Sequence, residues 1–323
     1  MVAEAIEHLA PARGGVFVDC TVGYGGHARA ILDAGASRLI GLDRDPAALA
    51  EAAVALEAFG DRVTLMHADY RRLDEVLDAQ GIGGVDGLLA DLGVSSMQLD
   101  SPGRGFSFRR DEPLDMRMDP TTGPTAAEAI GEADERTLAN VIYEFGEERH
   151  SRRIARAIAG ARMRSPVSTT GQLADIVRRA VPRKGYSRID PATRTFQAIR
   201  IWVNGELEGL DTSLTHAVRR LQPGGRAVVI SFHSLEDRVV KHTLRALQAT
   251  GDVGLTVRTK RPEVPSEAEV ERNPRARSAK LRAAERSARG GPQSGPPGKR
   301  WLVGSHSDPT EGGGGGRTVR RTP

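Results

Sequence analysis

Four aspartates that each close a short apolar run are the residues best placed to do chemistry in this chain: Asp19, Asp43, Asp69 and Asp91 end the runs 16–19, 39–43, 63–69 and 87–91. After the first comes a glycine-rich turn, Thr21-Val-Gly-Tyr-Gly-Gly-His27, which leads into a helix over 28–34. In open parallel sheets ligands bind outside the carboxyl ends of the strands, and glycines let the backbone come close to them. The spacing Gly23-x-Gly25-x-x-Ala28, with Asp43 twenty residues beyond Gly23, fits a dinucleotide fingerprint. The charge points elsewhere. A pyrophosphate sits poorly among Asp19, Asp69 and Asp91 when the glycine turn holds no Lys or Arg. S-adenosylmethionine has no phosphate, carries a sulfonium and an ammonium, and offers a ribose diol to a carboxylate, so the acid-rich rim favours it. On this reading Asp43 accepts from the ribose hydroxyls and Tyr70 gives adenine an aromatic face. A divalent ion among the carboxylates ranks lowest, because such sites usually lack a glycine-rich turn after the first strand, and no metal is expected. A strand-end Asp also often caps a helix or turn, a role that suits Asp19 or Asp69. His27 either presents a donor to the cofactor carboxylate or merely begins the helix, and Cys20 reads as core.

The elements that position these residues follow from the pattern. Apolar runs ending in an acid, separated by stretches long enough for one helix, are the signature of a parallel α/β sheet with crossover connections. A fifth run, 227–232, follows the turn Pro223-Gly-Gly225, with 135 residues between it and Asp91. One crossover helix over 206–221 fills part of that gap, with apolar residues at Leu207, Leu210, Leu214, Ala217, Val218 and Leu221. The remainder reads as a helical insert, with candidate helices over 126–130, 134–145, 149–163 and 170–180. The expected division is a catalytic sheet over 1–103 and 204–287, an inserted helical subdomain over 104–203, and a tail over 288–323.

Composition narrows the class. The chain has 323 residues, 39% hydrophobic and 27% charged, which suits a globular α/β protein of about two domains. No stretch approaches the ~18–20 apolar residues of a membrane span, nothing at the start resembles a signal peptide, and a cytoplasmic protein without a membrane partner is expected. A single cysteine excludes an intrachain disulfide and a cysteine-rich metal site. The net charge of +4 is unevenly spread: residues 149–204 carry 13 Lys and Arg against two acids, Asp175 and Asp190. That block suits a polyanion such as RNA, the alternative being a solvated basic face. The tail is rich in Gly, Pro, Ser and Arg, with the run 312–316 all glycine, and reads as disordered.

Further motifs carry a resemblance. These are Asp91-Leu-Gly-Val-Ser-Ser96-Met-Gln98-Leu-Asp100, Arg104-Gly-Phe-Ser-Phe108, Pro113-Leu-Asp-Met-Arg-Met-Asp119, Pro191-Ala-Thr-Arg-Thr-Phe-Gln-Ala-Ile-Arg-Ile-Trp-Val-Asn204, Ser231-Phe-His-Ser-Leu-Glu-Asp-Arg238 and Asn273-Pro-Arg-Ala-Arg-Ser278. With the glycine turn, they closely resemble the bacterial 16S ribosomal RNA cytosine-N4 methyltransferases, the MraW-type family, from about residue 2 to residue 286. The resemblance implies a Rossmann-like class I methyltransferase sheet of seven strands with a helical insert that helps hold RNA. It implies S-adenosyl-L-methionine as cofactor, contacted by Gly25, Gly26, His27, Asp43, Tyr70, Asp91 and Gln98. It also implies 16S rRNA within the small ribosomal subunit as partner. Relatives usually open with a His-x-Pro-Val-Leu-Leu-type segment and this chain opens at Met1-Val-Ala-Glu4, so either an upstream start or a reduced pocket wall is expected.

The exocyclic amine of cytosine is a weak nucleophile because its lone pair is delocalised into the ring. An enzyme must align it with the methyl group and accept hydrogen bonds from its protons. The Asp/Asn-Pro-Pro-aromatic motif of many amino-methyltransferases is absent after the fourth run. Asp91, Ser95 and Ser96 are therefore the candidate catalytic residues, with the two serines alternatively only turning the chain. The base must be unpaired or flipped out. Phe106 and Phe108 either stack on it or form the core of the insert; Arg194 and Arg200 are candidate backbone contacts; His233 is either a substrate contact or part of a helix start; Trp202 reads as packing. Two rivals stand beside this reading: a nicotinamide-dependent oxidoreductase, and a non-catalytic RNA-binding protein on a methyltransferase core.

Overall fold

The computed structural model describes residues 1–182 and 190–287. The expected disordered tail over 288–323, and Arg183, Lys184 and Arg188 of the basic block, lie outside the described residues. Among those described, β1 (Val16–Asp19), β2 (Arg38–Asp43), β3 (Val63–His67), β4 (Val85–Asp91), β5 (Leu221–Ser231), β6 (Leu255–Val257) and β7 (Lys280–Arg286) form one sheet in the order β3-β2-β1-β4-β5-β7-β6. The first five strands run parallel, while β7 is antiparallel to both its neighbours. The central strands read as continuous apolar runs because both faces are covered. Helices Leu73–Ala79, Leu210–Arg219 and Ser234–Thr250 pack on one face, and Val2–Leu9, Gly26–Asp33 and Pro46–Leu56 on the other. This is the seven-stranded α/β sheet the resemblance implied.

Three details depart from the sequence pattern. The crossover helix expected over 206–221 runs only over Leu210–Arg219, and Leu221, counted on its apolar face, opens β5. Pro223-Gly-Gly225 does not precede β5 but lies within it: Val85 pairs with Leu221 and Gly87 with Arg226, so the extra residues form a bulge and the strand continues. And β3 stops at His67, so Asp69 ends no strand; it caps the short turn Tyr70–Arg72, accepting from the Arg71 backbone N–H at 2.9 Å.

Between β4 and β5 the helices Ala126–Glu132, Glu135–Gly146, Ser151–Arg162 and Thr170–Ala180 fall where the apolar spacing put them. Thr125 with Glu128 and Thr169 with Gln172 form reciprocal caps that fix two of the starts. A further helix, Ala192–Asn204, spans the long motif at 191–204. Leu114, Met116, Leu138, Ile142, Ile158, Leu173 and Ile199 are among the side chains of a cluster that these helices bury for themselves. Glu135–Gly146 meets Ala192–Asn204 closely at Gly146, where a Cβ would stand 2.7 Å from the carbonyl oxygen of Arg194.

The root of this region is pinned to the sheet by buried polar groups. Asn204 donates to the Met116 carbonyl at 2.7 Å and accepts from the Met118 N–H at 2.7 Å. Arg104 donates to Asp45 at 2.8 Å and to the carbonyls of Arg117 and Met118 at 3.0 Å. Asp45 is fully buried and caps Pro46–Leu56. Removing either partner of such a buried pair costs about 3–5 kcal/mol, because a charge is left unpaired. The 104–119 and 191–204 motifs thus hold the helical region against the rim of β2 and β4.

Candidate active site

A cleft of about 600 Å³ opens at the carboxyl ends of β1, β2 and β4. One wall is the glycine turn with Asp43, Tyr70 and Asp91; the other is built from Arg200, Glu206, His233, Glu236 and the segment 273–279. The turn folds onto the strands through its backbone: the Val22 N–H donates to the Leu42 carbonyl at 2.8 Å and the Gly23 N–H to Asp43 Oδ2 at 2.9 Å. Gly25 has φ 78°, a left-handed conformation that starts the helix Gly26–Asp33. Gly26 and His27 line the cleft, whereas Gly25 faces away from it, with the place of its absent Cβ 3.2 Å from Leu56. Asp43 accepts from Gly23 on one oxygen and from the Asp45 N–H at 2.9 Å on the other. It is thereby fixed in place, and burial raises its pKa despite these bonds.

The strand-end acids differ in what they lack. Asp91 sits at the end of β4, its backbone N–H donating to Thr21 Oγ1 at 2.7 Å, and its Oδ1 is buried without a partner. Enclosure raises its carboxyl to about 7 against the pull of the positive amino terminus, with a smaller push upward from Glu236. His27 Nδ1 lies 3.6 Å from Asp91 Oδ2, and its Nε2 is buried without a partner. Burial, followed by the positive amino terminus, holds His27 down to about 4. Asp19 lies behind them, accepting from the Thr21 N–H at 3.1 Å with Oδ2 unpartnered, and burial raises it to about 7. Buried polar atoms without partners are rare, and several at the end of one cleft mark a place made for a polar ligand. Asp69 is different: Arg71 binds it through two nitrogens at 3.0 and 2.7 Å and Arg44 stands 3.6 Å away, so its pKa is lowered even against burial.

Several expected roles change on this geometry. Ser95 Oγ accepts from the Gln98 N–H at 3.2 Å and Gln98 Oε1 accepts from the Ser95 N–H at 3.0 Å, a reciprocal cap on the helix Ser96–Asp100. Ser95 is thus a cap, while Ser96 remains exposed at the cleft. The amide of Gln98 is also engaged at its other end, donating to Asp45 at 3.0 Å. Phe106 and Phe108 do not line the cleft: Phe106 is buried in the core of the helical region, and Phe108 packs edge-to-face on Phe196 at 4.8 Å between centroids. Phe106 cannot stack on a base without breaking that core, and Phe108 is half-buried against it, so the core alternative holds for Phe106 and packing on Phe196 for Phe108. Trp202 packs against the same cluster.

Arg200 lines the cleft but both its bonds go to Glu206, at 2.8 Å each, so it is not a free phosphate contact. Arg194 is exposed away from the cleft, donating to the Glu147 carbonyl at 3.3 Å. His233 reaches the cleft and also starts a helix: its Nδ1 accepts from the Glu236 N–H at 3.4 Å and Glu236 Oε2 accepts from the backbone of Phe232 at 2.9 Å. Tyr70 lines the cleft, its phenol pKa pushed up by burial. Glu206, His233 and Glu236 place ligand atoms within 4.8 Å of one another, but the Arg200 guanidinium already supplies the cation there.

The sequence did not single out Arg44, Glu206 or Glu236. Arg44 lines the cleft with Nε buried and unpartnered, and donates through Nη1 to the Asn204 carbonyl at 3.1 Å. Its place directly after Asp43 was the available signal. For Glu236 the signal was the three-residue spacing from His233, the spacing of a reciprocal cap. Arg275 lies in the motif 273–278, but its pairing with Asp100, at 2.8 and 2.5 Å, had no signal, since 175 residues separate the two.

Across residues 1–287 the chain matches the MraW methylase family. It belongs to that family. It is 55% identical over 297 residues to ribosomal RNA small subunit methyltransferase H of Bradyrhizobium diazoefficiens, with 88% of this chain and 90% of that one covered. To the proteins of the same name from Synechococcus elongatus and Geotalea uraniireducens it is 54% and 50% identical, covering 88% of this chain and 92% and 97% of those. The methyl donor of the MraW methylase family is S-adenosylmethionine. The cleft suits it: carboxylates for a ribose diol and an ammonium, an aromatic ring at Tyr70, and bare buried acceptors where positive charge would lie.

Proposed function

We propose that this protein transfers a methyl group from S-adenosylmethionine to N4 of a cytosine in the decoding region of 16S ribosomal RNA, on the small ribosomal subunit. The observation that carries the reading is Asp91: a carboxylate with a bare, buried oxygen at the end of β4, opening on the cleft of a family whose relatives are named for ribosomal RNA methylation. When bound, the cofactor supplies an electrophilic methyl group on a sulfonium. Asp43, oriented by the Gly23 and Asp45 N–H groups, holds the ribose hydroxyls; Tyr70 faces adenine; Gly26 and His27 border the methionine end. Gly25 contributes the turn, and Gln98 the rigidity of the Ser96–Asp100 loop.

Asp91 Oδ1 accepts a hydrogen bond from the exocyclic amine, drawing its lone pair out of the ring and orienting it for attack. Ser96 is a second acceptor on the same loop. As the N–C bond forms, the amine becomes acidic and its proton passes to Asp91 or to water, so no stronger base is needed. The helical region over 104–203, with Arg194 and the arginines of Ser151–Arg162, holds the surrounding RNA as a recognition subdomain. Incubation with methyl-labelled S-adenosylmethionine and small subunits from cells lacking the modification tests the reading. N4-methylcytidine in the digested RNA is the expected product; label on any other nucleoside, or none, overturns it.

A further inference from the structure

The wall of the cleft opposite the glycine turn holds a ring donor that makes no hydrogen bond. The His233 side chain is 7% exposed, and its Nδ1 accepts from the Glu236 N–H, so the ring proton resides on Nε2. That Nε2 lies 3.1 Å from Glu236 Oε1, close enough for His233 to hold the Glu236 carboxyl low, but it makes no hydrogen bond to it or to any other described residue. The donor is therefore buried, beside a carboxylate but without a hydrogen bond, and on the cleft surface. Leaving such a group unsatisfied is costly unless something comes to satisfy it.

Its position relative to Asp91 follows from the sheet. Asp91 pairs with Ile230 across β4 and β5, and the Leu92 N–H donates to the Ile230 carbonyl at 2.9 Å. His233 follows Ile230 by three residues, so the two strand ends carry a bare acceptor, Asp91 Oδ1, and a bare donor, His233 Nε2–H, on one cleft. Arg200 and Glu206 on the same wall are committed to each other. They leave His233 as the unpaired donor there.

We infer that His233 Nε2–H donates to ring N3 of the target base while Asp91 accepts from its exocyclic amine, so that the two side chains read cytosine by the order of donor and acceptor along its edge. This rests on the proposed methylation reaction and adds its specificity. Cytosine presents an amine donor beside an N3 acceptor, matching an acceptor beside a donor. Uracil presents O4 as acceptor beside N3–H as donor, the reverse order, and would set donor against donor and acceptor against acceptor. His233 is also the helix cap, so the discriminating function and the fold share one ring through its two nitrogens.

Small subunits reconstituted with 16S RNA carrying either cytidine or 3-deazacytidine at the methylated position separate the two. In 3-deazacytidine a C–H replaces N3 and the amine is kept. With the wild-type protein, kcat/KM falls on the order of tenfold to a hundredfold for the deaza base, the scale of one lost buried hydrogen bond. His233→Asn keeps an oxygen near Nδ1 for the cap but lacks the Nε2 donor. It is expected to methylate cytidine more slowly and to treat both bases alike, within about threefold. His233→Gln places an amide N–H near the position of Nε2 and regains discrimination, a result no purely structural role of the ring would produce. Thermal unfolding confirms that both variants fold. Equal discrimination by wild type and His233→Asn overturns the inference, as does a wild type that methylates both bases equally. A wild type that leaves cytidine subunits unmethylated overturns the proposed reaction, and this inference with it.

Discussion

The cleft and the helical region beside it treat buried polar groups in opposite ways. In the helical region Asn204 makes bonds to Met116, Met118 and Arg200, Thr170 joins Arg110 to Glu112, and Arg200 is clasped by Glu206, with Thr195 Oγ1 the exception among the described residues. In the cleft His27, Arg44, Asp91 and His233 each keep a buried atom without a partner, as does Asp19 just behind it. Satisfied groups of the first kind fix a fold; bare groups of the second kind cost stability and are kept where a ligand will complete them. The difference separates residues whose loss should harm catalysis from residues whose loss should harm folding, although both sets belong to equally recognisable motifs.

The sharpest break of that contrast is Asp91→Asn. The variant keeps the shape of the site and removes the carboxylate, and turnover is expected to fall on the order of a thousandfold, the scale of removing one preorganised group that stabilises a transition state. Its thermal midpoint should hold or rise, because a buried group with no partner has been relieved of its charge. Methyl-transfer rates and calorimetry on one preparation check both. Near wild-type turnover by a folded variant that binds cofactor would falsify the role of Asp91.

Phe106→Ala is the mirror experiment. The ring is buried in the cluster of the helical region, and its loss is expected to lower stability by about 3 kcal/mol in denaturant unfolding. Cofactor affinity of the folded fraction should stay within about twofold, since the ring does not line the cleft. A large loss of RNA methylation at unchanged stability would return Phe106 to the substrate.

The contrast is also legible in pH. Asp19 and Asp91 are both raised to about 7 by burial, so the folded chain holds these protons more tightly than the unfolded chain. Their contribution to stability is full below about pH 4 and is lost as pH rises through about 7. The melting temperature of the cofactor-free protein is therefore expected to decline over that window. Activity should move the other way: the ionised fraction of a group with pKa about 7 grows roughly tenfold from pH 6 to pH 8, and kcat/KM with it. Asp91→Asn should flatten the activity profile, and an unchanged slope in that variant would assign the titration to another group.

How much of this could be read in the sequence depends on whether a feature is local. The parallel strands, four helices of the insert and the glycine turn follow from periodicity within windows of about ten residues. The pairing of β7 with β5, which gives the sheet its antiparallel edge, depends on residues some fifty positions apart and has no local signature. In the site, Asp43 and Asp91 were legible because a parallel sheet brings all its strand ends to one edge. Asp69 misled for a local reason: an apolar run ending in Asp reads as a strand end, but the last two residues had left the sheet and the acid had turned to Arg71. Phe106 and Phe108 misled because a motif marks that residues matter without saying whether to a ligand or to a core. The Arg200–Glu206 pair neutralises an arginine that charge counting had assigned to RNA.

The smallest expected effect tests a residue that straddles the contrast. Ser95 lies in the cleft wall, yet its hydroxyl accepts from the Gln98 N–H and caps a helix of five residues. Ser95→Ala should cost about 1 kcal/mol of stability through the lost cap. Activity should fall less than about tenfold, as the Ser96–Asp100 loop loosens beside Asp91. Ser95→Gly decides what the hydroxyl does. Glycine lacks the oxygen as alanine does, but at a helix cap it costs only a few tenths of a kcal/mol relative to serine. A capping role therefore places the glycine variant above the alanine variant in both stability and rate. A hydroxyl that accepts from the substrate amine would leave the two equally slow, however different their melting temperatures, and would move Ser95 to the catalytic side of the divide.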